Sequence, residues 1–141
     1  MKSNNRFIFA FLGAGLTLGF SGLIFHMIFN DVYLNAGECV YRFNPIDEVM
    51  SIGILVEMAR GVLFAYLYPS RYGTQELSKS QRGWMYGAIL GLFSGLPWLL
   101  LSIIILGIDH TWVYLDAGFF VIQGALAGTV VSLIYGKPVE E

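Results

Sequence analysis

Four apolar runs, roughly Arg6 to Asn30, Ile46 to Tyr68, Gly83 to Gly107 and Trp112 to Tyr135, take up most of the chain. Each has the ~20 residues a helix needs to cross a hydrocarbon layer of ~30 Å. Lipid offers no hydrogen bonds, so such segments must satisfy their backbone internally, as helices do. The runs therefore predict an all-α membrane protein, one bundle of four transmembrane helices over residues 1–141. A soluble bundle would need polar outer faces, and these runs have none. Composition agrees: 56% of residues are hydrophobic and 13% charged, about half the charge of a typical soluble domain. Lys2 and Arg6 precede the first run as they would in a signal peptide. That run is too long for one and no small-x-small cleavage site follows, so it reads as a retained span.

The second run carries Glu57 and Arg60 at its middle, where either charge alone is estimated at ~2.5–3.5 kcal/mol on insertion scales. Gly53, Glu57, Gly61 and Ala65 recur every four residues, which puts the carboxylate on a small-residue stripe turned toward neighbouring helices. Arg60 is close enough along the same helix to pair with it. Gln123 of the fourth run lies at the same depth, counted from the outer ends of the spans, and offers both a donor and an acceptor. Glu57, Arg60 and Gln123 are therefore expected to form one polar cluster at the midplane.

The other runs are marked by glycine. Gly15, Gly19, Gly22 and His26 follow a helix–helix seam in the first, with Asn30 one turn further. Gly87, Gly91 and Gly95 line the third before Pro97, a candidate kink, and Gly124 and Gly128 stand beside Gln123 in the fourth. Such stripes let helix backbones approach closely. Asn44-Pro45 followed by Asp47 and Glu48 is a helix start: an Asn cap, proline at the first helical position, and acids at the positive end of the dipole. Pro69 is expected to close the second span, and Ser70 to Arg82 reads as a connector. The halves resemble one another, Phe20-Ser21-Gly22-Leu23 recurring as Phe93-Ser94-Gly95-Leu96 and the spacing of Gly61 to Tyr68 as Gly128 to Tyr135. That pattern predicts tandem duplication of a two-helix hairpin, with the copies related about the membrane normal.

Charge sets the orientation. Lys2, Arg6, Arg71, Lys79, Arg82 and Lys137 flank one side, and Asp31, Glu38, Asp47, Glu48, Asp109 and Asp116 the other. The positive-inside rule then puts both termini in the cytoplasm. Tyr66, Tyr68, Tyr72, Trp84, Tyr86 and Tyr135 fall at the inner headgroup level, and Tyr33, Tyr41, Trp112 and Tyr114 at the outer one. Cys39, the only cysteine, lies in the outer connection and excludes an intramolecular disulfide.

The run Phe25-His26-Met27-Ile28-Phe29-Asn30-Asp31-Val32-Tyr33, a second helix with a polar centre ending in Leu67-Tyr68-Pro69, a glycine-rich third helix, and Ile122-Gln123-Gly124-Ala125-Leu126-Ala127-Gly128 before Leu133-Ile134-Tyr135 carry a resemblance. Over most of its length the chain resembles a group of small bacterial four-helix membrane proteins of uncharacterised function. The resemblance implies a bacterial inner-membrane location and a four-span fold, and it brings no activity with it.

Catalytic constellations are thin. There is no phosphate-binding glycine loop in a strand-to-helix setting, no serine–histidine–acid set, and no Cys-x-x-Cys or His-x-x-x-His pair. No cofactor and no metal are therefore expected, although His26 and His110, both near the outer face, are where a bis-histidine haem would have to be held, and His26, His110, Asp116 and neighbouring acids where a divalent cation would. His26 and Asp116 are alternatively matched in depth for a hydrogen bond. No basic patch suggests nucleic acid. Two function classes remain. One is a non-enzymatic accessory subunit of the bilayer whose glycine stripes pack its own bundle, whose remaining apolar faces dock on a membrane-protein partner or a second copy, and whose Glu57 pairs structurally with Arg60. The alternative is a minimal proton- or cation-coupled transporter or channel using Glu57, with Thr17, Ser21, Ser94 and Ser102 as a polar path.

Overall fold

The computed structural model describes residues 3–35, 46–72, 77–104 and 110–136. Within them the regular elements are all α-helices: α1 Ser3–Asn35, α2 Ile46–Tyr72, α3 Lys79–Ile104 and α4 His110–Tyr135. Among the described residues three helices are long and apolar enough to cross a membrane, over Asn5–Phe29, Lys79–Leu101 and Val113–Tyr135, at mean hydropathies of 2.0, 1.5 and 1.9. At most 39% of any of these windows is buried inside the chain. Phe9, Phe20, Met27, Phe93, Ile104 and Leu133 all face outward. Apolar surface of this extent is consistent with a lipid environment.

The helix ends show why the observed boundaries differ from the apolar runs. α3 starts four residues before Gly83 because Ser78 and Gln81 form a capping box: Gln81 N donates to Ser78 Oγ at 3.4 Å and Ser78 N to Gln81 Oε1 at 3.2 Å. α2 does not stop at Pro69 but continues to Tyr72. Proline has no N–H for the carbonyl one turn earlier, that of Ala65. The Tyr135 hydroxyl of α4 donates to that carbonyl instead, at 3.0 Å. α4 closes on Gly136, whose φ of 74° suits a residue without Cβ. Gly136 N donates to Ser132 O at 3.0 Å, and Arg6 Nη1 reaches Tyr135 O at 3.3 Å. Pro97 lies inside α3.

α4 is the hub. α3 lies along it most extensively, α1 packs on both α2 and α4, and α2 meets α3 and α4 only sparsely; α1 and α3 do not pack on each other among the described residues. The two large contacts are glycine seams. A Cβ on Gly87 would collide with the carbonyl oxygen of Gly124, one on Gly128 with that of Gly83, and one on Gly91 with that of Phe120. A Cβ on Gly95 would lie 2.5 Å from Cγ of Phe120. On the other side, a Cβ on Gly61 would come within 2.6 Å of both Phe11 O and Gly15 N, and one on Gly15 within 2.6 Å of Met58 Sδ. Not every glycine of the stripes belongs to a seam. Among the described residues, an added Cβ would meet nothing within 4 Å at Gly19 and Gly53, and at Gly22 it would make only an ordinary contact with Gln123. Gly83, outside the expected set, does belong to one.

Tyr68 and Tyr86 are 2% and 4% exposed, so they are core residues and not part of a headgroup belt, whereas Tyr66 and Trp84 do face outward. With Leu18, Phe64, Ala65 and Val131 they form the centre of the bundle. Arg82, one of the expected flanking charges, is likewise buried, at 4% exposure.

Candidate functional site

Glu57 and Arg60 are one turn apart on α2, and their side chains converge on α4 and α3. Arg60 Nη1 donates to Glu57 Oε2 at 2.8 Å and Oε1 at 2.9 Å, and to Gln123 Oε1 of α4 at 2.9 Å. Arg60 Nη2 donates to Ser94 Oγ of α3 at 3.0 Å, and Ser94 passes its own proton to Gly91 O at 3.0 Å. Gln123 Nε2 donates to Leu18 O of α1 at 2.8 Å and more weakly to Glu57 Oε1 at 3.4 Å. One cluster thus touches all four helices. Gln123 is wholly buried, while the Arg60 and Glu57 side chains keep 11% and 20% exposure. The Phe120 ring lies beneath the guanidinium, 5.3 Å from its carbon, and its negative face adds to the neutralisation. Among the described residues no partner meets the buried Arg60 Nε.

A second polar set sits toward the Pro69 end. The Tyr86 hydroxyl donates to Phe64 O at 2.6 Å, joining α3 to α2. Ser132 Oγ donates to Lys79 O at 2.6 Å. Since a serine hydroxyl has a single proton, Tyr68 is the donor in its 2.5 Å contact with Ser132 Oγ. The Tyr68 and Tyr135 rings stack with centroids 5.8 Å apart and planes 16° from parallel. These contacts are reciprocal: Tyr68 of α2 reaches Ser132 of α4, and Tyr135 of α4 reaches Ala65 of α2. On each helix the two residues used stand three positions apart, Ala65 and Tyr68 on α2 and Ser132 and Tyr135 on α4, as they would across a two-fold axis.

The structure brings Glu57, Arg60 and Gln123 together and adds Ser94, Phe120 and the Leu18 carbonyl. Of these additions, Ser94 is expected from the sequence as part of a polar path beside Glu57 and here bonds Arg60 instead, but no pattern in the sequence shows Phe120 beneath a guanidinium or ties Tyr68 to Ser132. Among the described contacts, the Thr17 and Ser21 hydroxyls stay on their own helix. Their hydroxyls donate to Gly13 O and Thr17 O of their own helix, each at 2.7 Å. The side chains of His26, His110 and Ser102, and residues 36–45 with Cys39, lie outside the described residues, and with them the expected His26–Asp116 contact and outer metal position. Asp116 itself is partly buried on α4. Among the described residues no three His, Cys, Asp or Glu side chains are grouped to hold a metal.

The chain matches no known protein family, curated protein or solved structure. The functional reading therefore rests on the geometry above.

Proposed function

We propose that the chain is an integral membrane interaction subunit: a four-span bundle, built by duplication of a two-helix hairpin, that docks on another membrane protein and carries no catalysis of its own. The observation that supports this is where the polar groups go. Arg60 directs its donors to Glu57, Gln123 and Ser94, and Gln123 holds Leu18 O, so the charges at mid-helix serve to join helices. Thr17 and Ser21, two of the residues a conducting path would use, donate their hydroxyl protons to their own helix and make no hydrogen bond to the cluster among the described contacts. The reciprocal Tyr68 and Tyr135 contacts favour the duplication. The basic flanks favour a cytoplasmic position for both termini.

A second reading keeps one observation in its favour. Glu57 retains 20% exposure, which is what a proton- or cation-binding carboxylate would need. The two readings separate on purification in native lipid together with a flux assay in liposomes. An interaction subunit comes out with a stoichiometric membrane partner, and alone in liposomes it carries no flux above empty vesicles. A chain that runs alone and conducts protons or cations in a manner lost in Glu57→Gln would establish the transporter and end the proposal.

A further inference from the structure

We propose that the groove between α1 and α3, floored by α4, holds one acyl chain of a phospholipid, with the phosphate at the Ser80–Gln81 end of α3. Such a site goes beyond the interaction-subunit reading and rests only on the bilayer placement which that reading contains.

Among the described residues α1 and α3 do not pack on each other, so α4 is left uncovered between them. The gap is an open groove of about 630 Å³, within the ~300–1,000 Å³ of sites that hold a small ligand. Its floor is Leu126, Thr129 and Val130 of α4, with Thr17 of α1 on one side and Trp84 and Met85 of α3 on the other. Thr17 and Thr129 bring hydroxyls to this apolar surface, but each gives its proton to its own helix: Thr17 Oγ1 donates to Gly13 O at 2.7 Å and Thr129 Oγ1 to Ala125 O at 2.8 Å. The body of the groove therefore offers no donor.

Donors gather at its mouth. Gln81 Oε1 accepts from Ser78 N and Ser78 Oγ, which leaves Gln81 its two Nε2 protons, and Ser80 and Trp84 add an O–H and an N–H. Among the described residues no acceptor meets these donors. A groove that is apolar in its body and donating at its mouth fits an amphiphile with a hydrocarbon tail and an acceptor head, and the phosphate and ester oxygens of a phospholipid are acceptors. Trp84 at the mouth is the residue type that seeks the headgroup level.

Depth separates a lipid tail from a protein helix. Leu126 is the deepest lining residue on α4, and from it to Tyr135, at the end of the helix, the rise is ~14 Å at ~1.5 Å per residue. α1 agrees, since Arg6 bonds Tyr135 O and Thr17 lies ~16 Å further in. Both depths are about half of a ~30 Å hydrocarbon layer. A transmembrane helix of a partner or of a second copy runs through both leaflets, whereas an acyl chain ends where its own leaflet ends.

The test is native mass spectrometry of the detergent-solubilised protein titrated with dioleoylphosphatidylglycerol, with oleyl alcohol as a probe that has a tail but no phosphate. The unmodified protein should hold one phospholipid above the statistical distribution of the rest and bind oleyl alcohol about tenfold more weakly, the range for losing a hydrogen bond to a charged group. Thr17→Phe, which puts a ring into the groove, should abolish the tight site, and Leu16→Phe, at the exposed neighbouring position outside the lining, should keep it. Gln81→Glu should weaken phospholipid binding about tenfold and still start α3, because Glu serves a capping box as Gln does. Should Thr17→Phe fail to fold, Gln81→Glu decides alone. No phospholipid above the statistical distribution, equal binding of oleyl alcohol, loss of the site in Leu16→Phe, or binding unchanged in folded Thr17→Phe or in Gln81→Glu would overturn the proposal. Alkaline carbonate extraction keeps the two readings apart: a chain released from membranes removes the bilayer placement itself, and a chain that stays in them yet holds no phospholipid retires the groove alone.

Discussion

At the scale of the residue, Arg60 has more donors than any other side chain type and sits on a helix with an apolar exterior on most sides. Its nearest solution is Glu57, one turn away, but a lone ion pair leaves donors over. Gln123 and Ser94 take two of them. Gln123 is the better-used group, since its oxygen accepts from Arg60 while its nitrogen donates to Leu18 O and Glu57. Gln123→Leu should therefore lower stability by about 1–3 kcal/mol, the penalty for leaving a buried charged donor short of an acceptor. Unfolding in mixed micelles would measure it, and an unchanged midpoint would mean that Arg60 finds its acceptors elsewhere. Tyr68→Phe should cost less, about 0.5–1.5 kcal/mol, because Ser132 keeps its bond to Lys79 O.

At the scale of the element, glycine positions that look alike in sequence do different things. Gly87 and Gly19 both belong to four-residue stripes. Only Gly87 has a neighbouring backbone where a Cβ would go. Gly87→Leu should destabilise the bundle by roughly 3 kcal/mol, the upper end of overpacking costs, because its obstacle is a carbonyl and not a side chain that can rotate. Gly19→Leu should stay within about 0.5 kcal/mol. Comparing the folded fractions of the two proteins decides the point, and equal effects would contradict the assigned seams. The sequence could not separate these glycines, since spacing identifies a face but not which face meets another helix. Helix periods and the shared depth of Glu57 and Gln123 were legible, because they depend on distance along one axis. The contribution of Ser94, the place of Phe120 and the inward turn of Tyr68 and Tyr86 depend on how each helix is rotated against its neighbours. The continuation of α2 through Pro69 was hidden for the same reason: the group that compensates for the missing N–H is Tyr135, on another helix.

At the scale of the whole molecule, the pairs α1–α2 and α3–α4 are closed by glycine and joined through α4 by hydrogen bonds. If both termini are cytoplasmic, a membrane-impermeant thiol reagent should label Cys39 in cells whose inner membrane is intact. Labelling only after that membrane is broken would reverse the orientation. The central claim is that the charged cluster exists to hold the helices together, and stability measurements on Glu57→Gln and on the paired Glu57→Leu, Arg60→Leu protein test it most directly. Glu57→Gln leaves Arg60 buried without its counter-charge and should lose about 3–5 kcal/mol, whereas the paired apolar protein, with no charge left to bury, should return to within about 1 kcal/mol of the original. A Glu57→Gln protein as stable as the original, or a paired variant as unstable as the single one, would contradict it.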